Sequence, residues 1–339
     1  MKLAITGGAG FIGSNFVHHI LAAHPDWSML VIDKLTYAGN LKNIEAALQS
    51  GRCDFAQADI CDRGIPDLLR GCDVVVHFAA ESHVDRSIED ADAFVRTNVE
   101  GTYNLIQASR TAGVPRFLHV STDEVYGSLG EHGQFSEESP LQPNSPYAAT
   151  KAASDLLVLA YVRTHAFPAV VTRCSNNYGP YQFPEKFIPL MIAQAMAGQR
   201  LPVYGKGANI RDWLHVSDHC EALQVVLLQG RVGEVYNISG GCEMRNIDVA
   251  RLILKALDRP ENLVEYVRDR PGHDLRYALN CGKLCRETGW SAKIPFAQGL
   301  TATMEWYRRN QDWLVDVRSG AYRDYFERHY VKREQTFAG

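Results

Sequence analysis

The sequence predicts an α/β protein, a doubly wound parallel sheet followed by a smaller α/β C-terminal lobe. Three observations lead there. Short apolar runs alternate with helix-patterned stretches through the first half of the chain. A glycine-rich turn joins the first apolar run to the first helix. After about Ser175 the alternation gives way to short segments broken by turn residues.

Taken in order, the predicted strands are Leu3–Thr6, Met29–Asp33, Cys53–Ala58, Val74–Phe78, Phe117–Ser121 and Ala169–Arg173. They are rich in Val, Ile, Leu and Phe without strict alternation, as expected when both faces of a sheet are covered. The predicted helices between them are Phe11–Ala23, Ile65–Leu69, Ala93–Ala112 and Tyr147–Thr164. Pro146 suits the opening turn of the last of these. Beyond Ser175, Asn176–Pro184, Gly205, Gly207, Gly240-Gly241 and Pro271-Gly272 mark turns among short elements. No Gly/Ser or Pro-rich linker separates the parts, so they are woven together rather than tethered. The expected division is residues 1–175 for a first domain to which later segments return, 176–314 mainly for a second lobe, and 315–339 for a tail with no assignable chemistry.

Composition bounds the function. The 339 residues are 46% hydrophobic and 22% charged, ordinary for a soluble globular protein with a large core. A formal net charge of -4 argues against non-specific nucleic-acid binding but leaves room for a local basic pocket. No run of about 18 apolar residues occurs, so no membrane span is expected. The stretch Met1–Gly8 is too short in its apolar part for a secretory signal and reads as a strand entering a turn. The eight cysteines are scattered, without a Cys-x-x-Cys pair. Cys281 and Cys285 have no Cys/His pair at zinc spacing nearby, so neither a metal site nor a disulfide framework is expected. Free thiols suit a reducing cytosol, and a cytoplasmic location is the expectation.

Gly8-Ala9-Gly10-Phe11-Ile12-Gly13 fits G-x-G-x-x-G in its required context, after a strand and opening a helix. Alone it would be an ordinary tight turn. With strand and helix in register it predicts a Rossmann-type site, pyrophosphate facing the helix N-terminus. Asp33, closing the second strand, would accept hydrogen bonds from the adenosine ribose and repel a 2′-phosphate, which favours NAD over NADP. Asp59-Ile60 follows the third strand and could touch the adenine, although a helix cap explains Asp59 as well. Phe78-Ala79-Ala80-Glu81-Ser82 follows the fourth strand, and its small residues would let backbone approach the cofactor.

Two further segments carry the chemistry. Tyr147 and Lys151 are spaced i, i+4 and share a helix face. A phenol is a poor base at neutral pH. A nearby ammonium and a positive nicotinamide would lower its pKa, so Tyr147 could take an alcohol proton while Lys151 holds the nicotinamide ribose. Thr122-Asp123-Glu124 begins where the fifth strand ends, the place for sites in open α/β sheets. Alcohol dehydrogenation needs only a hydroxyl there. Two added carboxyls imply further proton transfers, one from carbon and one to a leaving oxygen.

These residues resemble the extended short-chain dehydrogenase/reductases and, more narrowly, the dTDP-glucose 4,6-dehydratase family. The resemblance spans about residues 1–310 and rests on Thr6–Ser14, Leu35–Asn40, Ala79–Ser87, Ser121–Gly127, Asn176–Tyr181 and Arg270–Tyr277. It implies dTDP-glucose as substrate, tightly bound NAD+ regenerated in each turnover, and a homodimer joined through helices. It implies Thr122, Asp123, Glu124, Tyr147 and Lys151 as catalytic residues. Cofactor contacts would come from Gly7, Gly10, Phe11, Ile12, Gly13, Asp33, Lys34, Leu35, Thr36, Asp59, Ile60, Phe78, Ala79, Ala80, Ser82, Thr97, Tyr147, Lys151 and Asn177. Asn176, Lys186, Arg211, Asn246 and His273 would lie near the nucleotide, with Tyr204 against the base and Ser82, Thr122, Phe187 and Pro202 completing the substrate site. Arg211 could grip phosphate oxygens bidentately; the lesser alternatives are that Lys186 and Arg211 are simply surface charges and His273 a satisfied loop histidine. A 4-epimerase would share the glycine turn and the Tyr–Lys pair but has no use for both carboxyls. Dehydration of another nucleotide sugar such as UDP-glucose stays open. An NAD-sensing regulator would need neither the pair nor the triplet.

Overall fold

The computed structural model describes residues 1–318. Twelve strands occur among them: β1 (Lys2–Thr6), β2 (Ser28–Asp33), β3 (Cys53–Gln57), β4 (Val74–His77), β5 (Phe117–Thr122), β6 (Ala169–Cys174), β7 (Asn176–Tyr178), β8 (Leu201–Tyr204), β9 (Ile210–His215), β10 (Val235–Ile238), β11 (Glu243–Arg245) and β12 (Val264–Val267). The first six agree with the predicted strands to within a residue or so at each end. The main sheet has seven strands in the order β3-β2-β1-β4-β5-β6-β10, with every neighbouring pair parallel. The strand order reverses at β1 and β4, which opens a crevice beyond their carboxyl ends.

Both faces of this sheet are buried, which explains the near-continuous apolar runs. Leu3, Ile5, Val31, Val74, Val76, Leu118 and Val120 point into one core. Their alternate neighbours Ala4, Ile32, Val75, Phe117 and Val171 point into the other. A third core belongs to the C-terminal half, where Ile188, Met191, Leu201, Trp213, Ile253, Leu300 and Trp313 pack together. That half carries two small sheets, β11-β9-β7 and β12-β8. β10, from the same half of the sequence, joins the main sheet beside β6.

The helices Phe11–Ala23 and Pro146–His165 form as the patterns predict. The predicted helix Ala93–Ala112 is not uniform. A π-helical stretch, Val95–Gly101, precedes the regular helix Thr102–Ala112. Asn98 gives the reason. Its amide oxygen accepts from the Glu81 N–H at 2.9 Å, and its Nδ2 donates to the Glu81 carbonyl and the Thr150 hydroxyl, each at 3.0 Å. Widening the turn brings that amide to both partners, a device common near functional sites. Most of the predicted tail, 315–339, lies outside the described residues; its first three residues end the helix Gln311–Val317.

Candidate active site

The glycine turn leaves no room for side chains. A Cβ on Gly7 would lie 2.6 Å from the Ala79 nitrogen, and one on Gly13 only 2.3 Å from the Gly7 carbonyl oxygen. Gly10 caps the helix Phe11–Ala23 without a side-chain hydrogen bond, and no acidic residue stands in the first turn. The free amides and the helix dipole there suit a pyrophosphate. Asp33 takes the Ala9 N–H at 3.0 Å and the Leu35 N–H at 2.8 Å. A carboxylate with two such bonds retains lone pairs for ribose hydroxyls. Burial still raises its pKa, with the two amides opposing. These residues fit a dinucleotide with an unphosphorylated ribose.

One cleft of about 300 Å³ runs from this turn to β5 and β6. It is lined by Gly7, Gly10, Phe11, Ile12, Gly13, Asp33, Lys34, Thr36, Asp59, Ile60, Phe78, Ala79, Ala80, Ser82, Thr97 and Asn177. Thr122, Asp123, Glu124, Tyr147, Lys151, Asn176 and Lys186 line its other end. Leu35 stands apart from the lining, in a left-handed conformation at φ 57°. Asp59 pairs with Lys34 at 2.7 Å and accepts the Cys61 N–H at 2.9 Å, closing a short turn beside the cleft; it caps no helix, since the next one, Ile65–Leu68, begins after Gly64.

The triplet is fixed by local structure. The Thr122 hydroxyl caps the 3-10 helix Asp123–Tyr126, accepting the Glu124 N–H at 3.3 Å. Gly127 ends that turn at φ 85°, where a Cβ would lie 2.2 Å from the Gln142 carbonyl oxygen. The opposite wall is the helix Pro146–His165, capped by the Ser145 hydroxyl, which accepts the Ala148 N–H at 3.1 Å. This helix places Tyr147 on the cleft wall beside Thr122, which favours its ionised form.

The electrostatics separate the two carboxyls. Burial, then Glu124 and Asp212, push the Asp123 pKa well above the usual range; Arg211 and Thr122 oppose. Asp123 Oδ2 is buried and has no hydrogen-bond partner among the described residues. Glu124 is also raised by burial, but Arg270, Lys186 and Arg211 counteract. The surroundings therefore favour the protonated form more strongly at Asp123 than at Glu124. Tyr147 departs from expectation. Burial and the Glu124 charge hold its pKa well above the ordinary phenol value. Lys151 gives no visible relief, because its Nζ donates to the Val120 carbonyl at 2.9 Å and burial lowers its own pKa.

A second group of residues flanks the triplet from the C-terminal half. Arg211 lies over the Tyr277 ring at 4.5 Å and donates to the Asp274 carbonyl at 3.1 Å. Tyr204 donates to Asp85 at 2.7 Å, and its ring meets His273 edge-on at 5.9 Å. Burial, with Arg270 and Arg211, lowers the His273 pKa to about 3. Asn246 has a buried amide oxygen without a partner among the described residues. Phe187 and Pro202 lie off the cleft. The Phe187 ring stacks with Trp213 at 6.2 Å, and Pro202 sits buried in β8.

Two charged residues escape sequence reasoning. Arg270 approaches Asp85 at 3.4 Å and acts more strongly on Glu124 than any other cation. Its signal is its place at the head of the Arg270–Tyr277 motif, from which only His273 is singled out. Glu185 lines the cleft and pairs with Arg86 at 3.0 Å. A lone acid among Phe183, Pro184 and Phe187 is the available hint.

Fold and cleft together define an extended short-chain dehydrogenase/reductase. The family model for GDP-mannose 4,6 dehydratase matches residues 4–303. A dTDP-glucose 4,6-dehydratase of Streptomyces niveus is 52% identical, covering 94% of this chain and 96% of its own length. The crystal structure of dTDP-glucose 4,6-dehydratase from Streptomyces venezuelae, with NAD bound, superposes with a TM-score of 0.91 at 52% identity, covering 92% of this chain and 98% of that one. A UDP-glucose 4-epimerase of Thermus thermophilus, solved with NAD, shares the fold at a TM-score of 0.85 but only 30% identity, over 91% of this chain and all (100%) of that one. The chain belongs to the dTDP-glucose 4,6-dehydratase family.

Proposed function

We propose that the chain converts dTDP-glucose into dTDP-4-keto-6-deoxy-glucose and water, using tightly bound NAD+. The observation that carries this reading is the pair Asp123 and Glu124, one residue apart in the cleft and held in different electrostatic surroundings. Bound NAD+ supplies the chemistry of accepting a hydride from sugar C4 and returning it to C6, so no external oxidant is consumed.

The side chains divide the proton transfers. Tyr147 takes the proton of the C4 hydroxyl, and Thr122 hydrogen-bonds the same oxygen. With Lys151 turned to a backbone carbonyl, the positive nicotinamide is the charge that can bring the phenol down into a useful range. The resulting C4 ketone acidifies C5–H, and Glu124 removes that proton. Asp123, kept protonated by its surroundings, gives its proton to the C6 hydroxyl, which leaves as water. Glu124 then returns a proton to C5. Lys186, Arg211 and Arg270 form a cationic wall suited to the diphosphate, and Tyr204, Asn246 and His273 lie on the nucleotide side.

The test is incubation with dTDP-glucose and no added cofactor, followed by alkali. A 4-keto-6-deoxy product absorbs in the near ultraviolet, and Glu124→Gln abolishes that signal. Recovery of a 4-epimerised sugar, or equal turnover of UDP-glucose, overturns the assignment. Epimerisation draws support from the shared fold but leaves both carboxyls without work. The chain acts as a homodimer, a reading supported by Val95, Tyr103 and Leu156, which are exposed on neighbouring helices. It works in the cytoplasm. That fits eight cysteines without a disulfide and no described helix long and apolar enough to cross a membrane.

A further inference from the structure

Ala9, in the middle of the glycine turn, is held from three sides. Its N–H donates to Asp33 Oδ2 at 3.0 Å. Its carbonyl accepts from the Asn40 N–H at 3.1 Å and from Asn43 Nδ2 at 2.8 Å. The segment after β2 therefore folds back and fixes the turn. That same segment contributes Thr36, Ala38 and Gly39 to the cleft wall. It is tied at its start by Asp33, which takes the Leu35 N–H, and at its end by Asn43.

Asn43 is 1% exposed, and its amide is used at both ends. Nδ2 reaches Ala9, and Oδ1 accepts the indole N–H of Trp313 at 2.7 Å. Trp313 lies on the helix Gln311–Val317, far away in sequence. Its ring is seated in the core of the C-terminal half, 5.2 Å from Trp306 and 6.2 Å from both Tyr307 and Tyr181. Lys42 and Asp316 form an exposed ion pair beside it. The last described helix thus reaches back across the molecule and ties the cofactor loop to a rigid anchor.

We propose that Trp313 is a positioning residue which, through Asn43, latches the loop Asp33–Asn43 over the dinucleotide and retains the cofactor between turnovers. This rests on the reading of NAD as the resident cofactor. A cofactor regenerated in place has no need to leave, and the latch supplies the barrier to its leaving. The physical reason is the cost of freeing Asn43. Without the indole N–H its buried oxygen loses its partner, and the amide can rotate away from Ala9.

The experiment uses the purified full chain and three variants, Trp313→Phe, Asn43→Ser and Lys42→Ala. NAD content and NAD dissociation rate are measured directly, together with dTDP affinity by calorimetry. Trp313→Phe keeps the ring and removes one hydrogen bond. It is expected to release NAD roughly tenfold faster, the effect of one buried hydrogen bond, while dTDP affinity stays unchanged. Lys42→Ala, at an exposed pair, is expected to release NAD at the wild-type rate. Wild-type dissociation from Trp313→Phe, even with a lowered melting temperature, overturns the latch and leaves Trp313 as core packing. If Trp313→Phe does not fold, Asn43→Ser decides on the same readout. A wild-type protein that carries and binds no NAD fails the functional reading instead, which separates the two failures.

Discussion

Asp123 and Glu124 share a peptide bond and a buried setting, yet three cations face Glu124. Asp123 has one cation, Arg211, and the Thr122 hydroxyl to offset Glu124 and Asp212. The contrast predicts a direction of change with pH. As the proposed C5 base, Glu124 would have to be ionised, and its titration would set the acid limb of kcat/KM. Arg270 is the largest charge favouring its ionised form. Removing that charge in Arg270→Met raises the Glu124 pKa, and the acid limb moves to higher pH. A pH–rate profile checks this, and a limb that stays put or moves to lower pH rules out Arg270 as the tuning group. Tyr147 shows the opposite problem at the same scale. Its phenol is held above its ordinary pKa by burial and by the Glu124 carboxylate, so the proposed role as base calls for positive charge beside it.

The π-helical stretch Val95–Gly101 ties the loop after β4 to the helix Pro146–His165 through one side chain, Asn98. Asn98→Ala removes three hydrogen bonds and leaves the Glu81 backbone groups without that partner. The expected loss of stability is about 1–3 kcal/mol, read from urea unfolding with NAD present. A change below about 0.5 kcal/mol would place the amide among neutral surface substitutions. No such feature is legible in the sequence, because the apolar spacing of Ala93–Ala112 does not register one widened turn. Of the six early strands, β1, β2, β4, β5 and β6 are legible because they are largely buried and bounded by turns, and the half-exposed edge strand β3 because turns bound it. β7, β11 and β12, at three or four residues, are too short to carry a period, and their pairings join distant stretches. The triplet and the Tyr–Lys pair are legible because local spacing carries their chemistry. Arg270 and Trp313 are not, since only the folded contact gives either one its role.

At the scale of the whole molecule, apolar side chains remain uncovered on two adjoining helices. Tyr103 is 45% exposed and Leu156 58% exposed, and the Tyr103 ring meets Tyr161 edge-on at 6.2 Å. Burial of this face between two copies would explain its composition. Leu156→Glu is expected to yield monomers by sedimentation velocity, with the fold retained by circular dichroism. A variant that stays dimeric would move the interface elsewhere.

The late arrival of β10 at the sheet bears on how the chain is made. When β6 has emerged from a ribosome its outer edge is bare, and the segment that will cover it, Val235–Ile238, has not yet been synthesised. The nascent chain therefore carries an open, apolar strand edge through the synthesis of the intervening residues.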